Sequence, residues 1–144
     1  KGEGTIWIGG ENLENVTITG GGIIDGNGAT FMGEELKDAY VLKPFDTIDP
    51  RPHILTLINI KNIKVHNITF QNAAYWGLHF IGCKNILINQ TFIYNDLKIR
   101  NGDGIDLDHS QNVNISNCHI ESGDDCICFK NRREYLFNHF YYWN

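Results

Sequence analysis

Residues 62–70 read Asn62-Ile63-Lys64-Val65-His66-Asn67-Ile68-Thr69-Phe70, and their pattern returns along the chain. The same opening occurs at Asn15-Val16-Thr17-Ile18, at Asn85-Ile86-Leu87-Ile88 and at Asn112-Val113-Asn114-Ile115. The intervals between successive asparagines are 47, 23 and 27 residues, and the first is long enough for two turns of the repeat. Counting from each Asn, positions one and three are apolar throughout. Positions six and eight are Gly21 and Ile23, Ile68 and Phe70, Thr91 and Ile93, and Cys118 and Ile120. Only Gly21 and Thr91 break the apolar pattern.

Apolar residues two apart mark a strand, and the change of phase between positions three and six marks a corner. A third strand then follows in three repeats, at Leu78-His79-Phe80, Ile105-Asp106-Leu107 and Ile127-Cys128-Phe129. Three short strands per repeat, stacked in parallel on those of the next about 4.8 Å away, make an all-β parallel β-helix. In such a solenoid each coil buries its inward residues against its neighbours. The repeated Asn is expected at a corner, because it tolerates left-handed backbone geometry.

The composition agrees. The chain has 144 residues, with 20 Ile, 17 Asn and 15 Gly against four Ala, which disfavours a helical bundle and favours many strands joined by turns. The formal net charge of −5 argues against a general nucleic-acid binder. No run of apolar residues is long enough to span a membrane. Residues 29–52 interrupt the repeat, carry Pro44, Pro50 and Pro52, and read as an excursion between coils with a short helix at Glu34–Tyr40. The whole of residues 1–144 reads as one partial β-helix domain. Cys83, Cys118, Cys126 and Cys128 match no paired zinc pattern and read as buried thiols, with Cys126 and Cys128 on one face of a strand. Four Asn-x-Ser/Thr sequons, at Asn15, Asn67, Asn89 and Asn114, read mainly as by-products of an Asn-rich repeat.

Stepping back two positions from each third strand gives Trp76, Asp103 and Asp125, which therefore fall in one column, with Asp124 beside Asp125. Carboxylates crowded on adjacent coils push a pKa upward, and a raised carboxyl beside ionised ones suits general acid/base chemistry. Glycoside hydrolysis uses such a pair, one carboxyl protonating the leaving oxygen and another activating water or attacking the sugar. Asp25, in Ile24-Asp25-Gly26-Asn27-Gly28, reads instead as a turn residue. Asp103, Asp106, Asp108, Asp124 and Asp125 also offer hard oxygen ligands of the kind calcium takes. Their spacing is not an EF-hand, and no metal or other cofactor is assigned.

At these residues the sequence resembles glycoside hydrolase family 28, the polygalacturonase family of right-handed parallel β-helices that hydrolyse pectin with inversion. Asn101-Gly102-Asp103 resembles the family's N-x-D segment, Gly123-Asp124-Asp125 its G-D-D segment, Ile24-Asp25-Gly26-Asn27-Gly28 its I-D-G-x-G turn and Trp76-Gly77-Leu78-His79 its W-x-[IL]-H strand. The resemblance implies that Asp124 is the general acid and that Asp103 and Asp125 hold and deprotonate the attacking water. Asn101, His79, Arg100 and Lys130 are the candidate substrate contacts. Trp76 suits either stacking on a sugar or filling a corner. The partner expected is pectin or another uronic-acid-containing polysaccharide, met outside the cell or in the periplasm, with no nucleic acid and no membrane.

No G-H-G or R-x-K segment follows Asp125. The chain therefore reads as an incomplete stack of about six coils, inactive or nearly so alone. Two other readings stay open. One is a non-catalytic β-helix that binds polysaccharide or self-associates through an open edge. The other is a calcium-dependent lyase on the same fold.

Overall fold

The asparagines that open the repeats take the left-handed conformation in every coil of the computed structural model, with φ 60° at Asn15 and Asn62, 59° at Asn85 and 54° at Asn112. The structure describes residues 5–37, 41–44 and 51–131. The strands are β1 (Thr5–Glu11), β2 (Glu14–Thr19), β3 (Ile23–Asp25), β4 (Met32–Leu36), β5 (Val41–Pro44), β6 (Pro52–Ile58) and β7 (Lys61–Gln71). They continue as β8 (Leu78–Ile81), β9 (Lys84–Tyr94), β10 (Ile105–Asp108), β11 (Gln111–Ser116), β12 (His119–Glu121) and β13 (Ile127–Lys130). Two parallel sheets face each other. One runs β1-β6-β8-β10-β13, and the other stacks β2 and β3 on β7, then β9, then β11 and β12. This is a parallel β-helix.

Asparagine builds the corners with its side chain as well as its backbone. Asn62 Nδ2 donates to Asn15 Oδ1 at 3.0 Å, Asn85 to Asn62 at 3.0 Å and Asn112 to Asn85 at 3.1 Å. The result is a ladder along the stack. A second corner lies five residues on, at Gly20, Asn67, Gln90 and Asn117, all with positive φ. It is the phase change expected from the sequence, yet the strand hydrogen bonding runs through it in β7 and β9, which are 11 residues long.

The core is the set of inward columns. Val16, Ile63, Ile86 and Val113 stack in register, as do Ile18, Val65, Ile88 and Ile115. They face Leu55, Leu78 and Ile105, and Leu57, Phe80 and Leu107, on the opposite sheet. Each fully buried Ile contributes about 2 kcal/mol by leaving water. Thr91 sits in an apolar column and is satisfied through its hydroxyl, which donates to Val65 O and Asn89 O.

Four expectations change. Ile24, not Ile23, continues the inward column by pairing with Phe70, and Ile23 is 64% exposed. The run Gly20-Gly21-Gly22 puts one extra residue in that corner, which flips the alternation. The 47-residue interval holds a single coil plus the excursion, since β2 pairs directly with β7. The excursion holds no helix at Glu34–Leu36, which lies in β4 and pairs antiparallel with β5; residues 38–40 fall outside the described residues. Of the four cysteines only Cys83 is buried, and Cys126 precedes β13 and is exposed.

Candidate active site

β8, β10 and β13 carry the site on their outward faces. The register pairs Ile105 with Leu78 and with Ile127. The backbone bonds Ile54 N to Trp76 O, Gly77 N to Asp103 O and Gly104 N to Asp125 O continue that register below the strands. His53, Trp76, Asp103 and Asp125 therefore stand at equivalent positions on successive coils. Three residues further along each coil, Asp106 stands in register with His79 and Cys128.

The two aspartate turns are fixed by small polar side chains. Asn95, itself 5% exposed, accepts from Ala73 N at 3.0 Å and donates to Gly102 O at 3.0 Å. Ser122 Oγ donates to Gly102 O at 2.7 Å and accepts from Asp124 N at 3.2 Å. It thus ties the Asn101-Gly102-Asp103 turn to the Gly123-Asp124-Asp125 turn. Arg51 is buried and donates to Ala74 O and Arg100 O at 2.8 and 2.9 Å, holding the same turn from the other side. Gly77 and Gly104 are required by the close stacking. A Cβ at Gly77 would lie 2.7 Å from Gly104 O, and one at Gly104 would lie 2.6 Å from Cys126 O.

The environments of the carboxyls differ. Asp103 is 2% exposed and Asp106 and Asp108 are fully buried, whereas Asp124 and Asp125 are exposed. The Lys130 ammonium lies 2.9 Å from Asp103 Oδ2 and 2.9 Å from Asp106 Oδ1, with the Trp76 ring centroid 4.2 Å away. Burial pushes the Lys130 pKa down, but the bonds to Asp103 and Asp106 outweigh it and leave it raised. Burial, then the charge of Asp103, pushes Asp106 up to about 8, against an opposing pull from Lys130. Burial, then a hydrogen bond with the Asp125 carboxylate, raises the Cys128 thiol. Asp103 Oδ1 is buried with no hydrogen-bond partner among the described residues.

The residues singled out from sequence divide into two groups. Asp103 and Lys130 meet directly, and Asp125 stands at the equivalent position on the next coil. Asp124 projects from the adjoining turn. Arg100 is exposed and Asn101 half-buried with φ 55°. His79 is 1% exposed; its ring packs against His53 and Trp76, and its Nε2 lies 3.9 Å from Asp108 Oδ2. Burial, then the neighbouring His79 and Lys130, drives His53 down to about 3, so this aromatic floor is neutral at His53. Trp76 is 4% exposed and fills the floor of the site. Arg132 and Arg133, which the sequence reads as solvated surface charges, lie outside the described residues.

Sequence reasoning missed Asp106 as a partner of Asp103. The signal was the alternation Ile105-Asp106-Leu107-Asp108, which puts two carboxyls on the outward face of one strand. It also missed Asn95, whose role rests on a bond to the preceding coil. One ligand atom each of Asp103, Asp106 and Cys128 lie within 4.8 Å of one another, but the Lys130 ammonium already occupies the position between the carboxylates.

The fold and these outward carboxyls define a parallel β-helix with an acidic site on one sheet. The chain belongs to the glycosyl hydrolases family 28, whose sequence profile matches residues 1–142. It is 34% identical over 122 residues to polygalacturonase-2 of Solanum lycopersicum, a match covering 85% of this chain and 26% of that protein. It is 36% identical over 131 residues to a probable polygalacturonase of Vitis vinifera, covering 88% of this chain and 24% of that one. The family 28 exopolygalacturonase of Yersinia enterocolitica superposes with a TM-score of 0.64 at 25% identity, over 81% of this chain and 26% of that one. The chain thus spans about a quarter of the length of these relatives.

Proposed function

We propose that this chain carries the catalytic carboxyls of an inverting, pectin-directed glycoside hydrolase of the polygalacturonase type. The observation that carries the reading is the stacking of Asp103 and Asp125 on successive coils, with Asp124 beside them and Asp103 Oδ1 without a donor among the described residues. An oxygen of that kind can accept a proton from a water. In this reading Asp124, in contact with solvent, protonates the leaving oxygen, and Asp103 and Asp125 hold and deprotonate water. Inversion needs about 6.5–9.5 Å between acid and base carboxyls for that water. Arg100 and Asn101 are the contacts a uronide reaches from solvent, whereas His79 and Lys130 support the floor. The substrate is pectin or a related uronic-acid polysaccharide, met extracellularly or in the periplasm.

The test is the release of reducing ends from polygalacturonate by the protein containing this chain. Asp124→Asn should lower the rate at least about 10³-fold, on the scale of losing a general acid. An Asp124→Asn variant with full activity would remove Asp124 from its role. The 144-residue chain alone is expected to be far slower, because the G-H-G and R-x-K segments are not within it. Hydrolysis that survives a chelator and yields saturated products separates this reading from a calcium-dependent lyase.

A second reading rests on a different observation. Phe129, in register with the inward Leu107, is 82% exposed and Ile127 is 41% exposed, so β13 offers an apolar edge through which copies of the chain associate.

A further inference from the structure

The carboxyl pair beneath Lys130 has a role of its own, in an inference that rests on the hydrolase reading above. We propose that Lys130 and Asp106 are positioning residues that fix the Asp103 carboxylate, the two carboxyls sharing one proton beneath a single ammonium. The ammonium donates a hydrogen bond to Asp103 Oδ2 at 2.9 Å and forms an ion pair with Asp106 Oδ1 at 2.9 Å. The face of Trp76 closes another side at 4.2 Å, as a cation–π contact does. Lys130's side chain is 16% exposed, so it is held below the surface that a uronide carboxylate would touch.

Counting charge shows why Asp106 is needed. Two buried carboxylates and one ammonium leave a net negative charge in a poorly solvated place, which is unfavourable. One proton on Asp106 restores neutrality, and a carboxyl oxygen of Asp106 lies within 4.8 Å of one of Asp103, close enough for the pair to share that proton. Asp103 is gripped through Oδ2 by the ammonium while Oδ1, also buried, has no hydrogen-bond partner among the described residues. The groups facing Asp106 are consistent with this. They are Asp103 from the preceding turn, His79 from β8, Cys128 and Lys130 from β13, and Asp108 on its own strand. The burial that drives Asp106 up to about 8 supports the same assignment.

The decisive measurement is ¹³C-carboxyl NMR titration of the 144-residue chain, which does not require turnover. Asp106 should titrate near 8 in the wild type. Removing the neighbouring charge in Asp103→Asn should move that midpoint down, removing the cation in Lys130→Met should move it up, and Lys130→Arg should leave it near the wild-type value. Circular dichroism and amide dispersion verify that each variant is folded. An Asp106 midpoint in the ordinary carboxylate range, or one unmoved by both charge removals, overturns the proposal.

Where the protein hydrolyses polygalacturonate, Lys130→Met should lower kcat about 10²-fold with KM changed little, and Lys130→Arg should recover part of it. A raised KM at unchanged kcat would instead make Lys130 a substrate contact. If no hydrolysis is found, the hydrolase reading fails while the titration still decides the positioning of Asp103.

Discussion

A carboxyl buried beside another carboxyl opposes folding whenever it ionises. Asp106 is such a group. Its folded value, about 8, lies above its ordinary 3.8 because of burial first and the charge of Asp103 second. A folded pKa above the unfolded one means that the protonated form is favoured by folding. That contribution is fully present below about pH 4 and is lost as the pH rises through 8. Asp106→Asn keeps the shape and cannot ionise, so the variant should lack this loss. The urea midpoint of the wild type should fall relative to that of Asp106→Asn as the pH goes from 5 to 8. Parallel midpoints over that range would show that Asp106 ionises in the fold as freely as in water. Asp25 shows the opposite case. Gln71, then the Asn27 N–H, hold its carboxyl below the usual range, as bonds that favour the charged form do, and the exposed turn can afford the charge.

At the scale of the element, the corner decides what a coil tolerates. Asn62 sits at φ 60°, donates to Asn15 and accepts from Asn85. Asn62→Ala should cost about 2–3 kcal/mol, combining left-handed strain of about 1–2 kcal/mol with the loss of exposed hydrogen bonds. Asn62→Gly relieves the strain and should cost about 1 kcal/mol. Urea unfolding of the two variants separates the contributions, and equal losses would mean that the ladder alone matters. This corner was legible in the sequence because one residue type recurs at one position. The second corner was legible only as a phase change, since Asn67, Gln90 and Asn117 share a left-handed conformation, Gly20 stands at φ 141°, and no one residue type is common to the four. The β4–β5 hairpin was not legible. Its antiparallel pairing is anchored by Leu42 N to Lys98 O at 2.9 Å and by Lys98 to Glu35 at 2.6 Å, and these partners lie more than fifty residues away. Asn95 was hidden because its bond reaches Ala73 N on the preceding coil, and the pairing of Asp103 with Asp106 because Lys130, on the following coil, lies between them, whereas the column of Asp103 and Asp125 followed directly from strand register.

Across the whole molecule, a stack buries each coil only by supplying the next one. The middle coils are closed on both sides, and Ile63, Val65, Ile86 and Ile88 are at most 2% exposed. At β13 the last described residue of the inward column is Phe129, 82% exposed, although Leu57, Phe80 and Leu107 below it are buried. Among the described residues, β13 bonds in the sheet only to β10. Its other edge carries no strand among the described residues and presents an apolar side chain, and an open apolar edge invites pairing with another chain. The net charge of −5 opposes association but acts over the whole surface and is screened beyond about 8 Å at physiological salt. The local edge should therefore dominate at high protein concentration. Sedimentation of the 144-residue chain should show mass increasing with concentration and with salt. Phe129→Glu places a charge on that edge, the usual means by which natural sheets prevent pairing, and should return the chain to monomer without changing the circular dichroism. A wild type that stays monomeric at high concentration and high salt would show that the edge is not an association surface, and the second reading of this chain would fall with it.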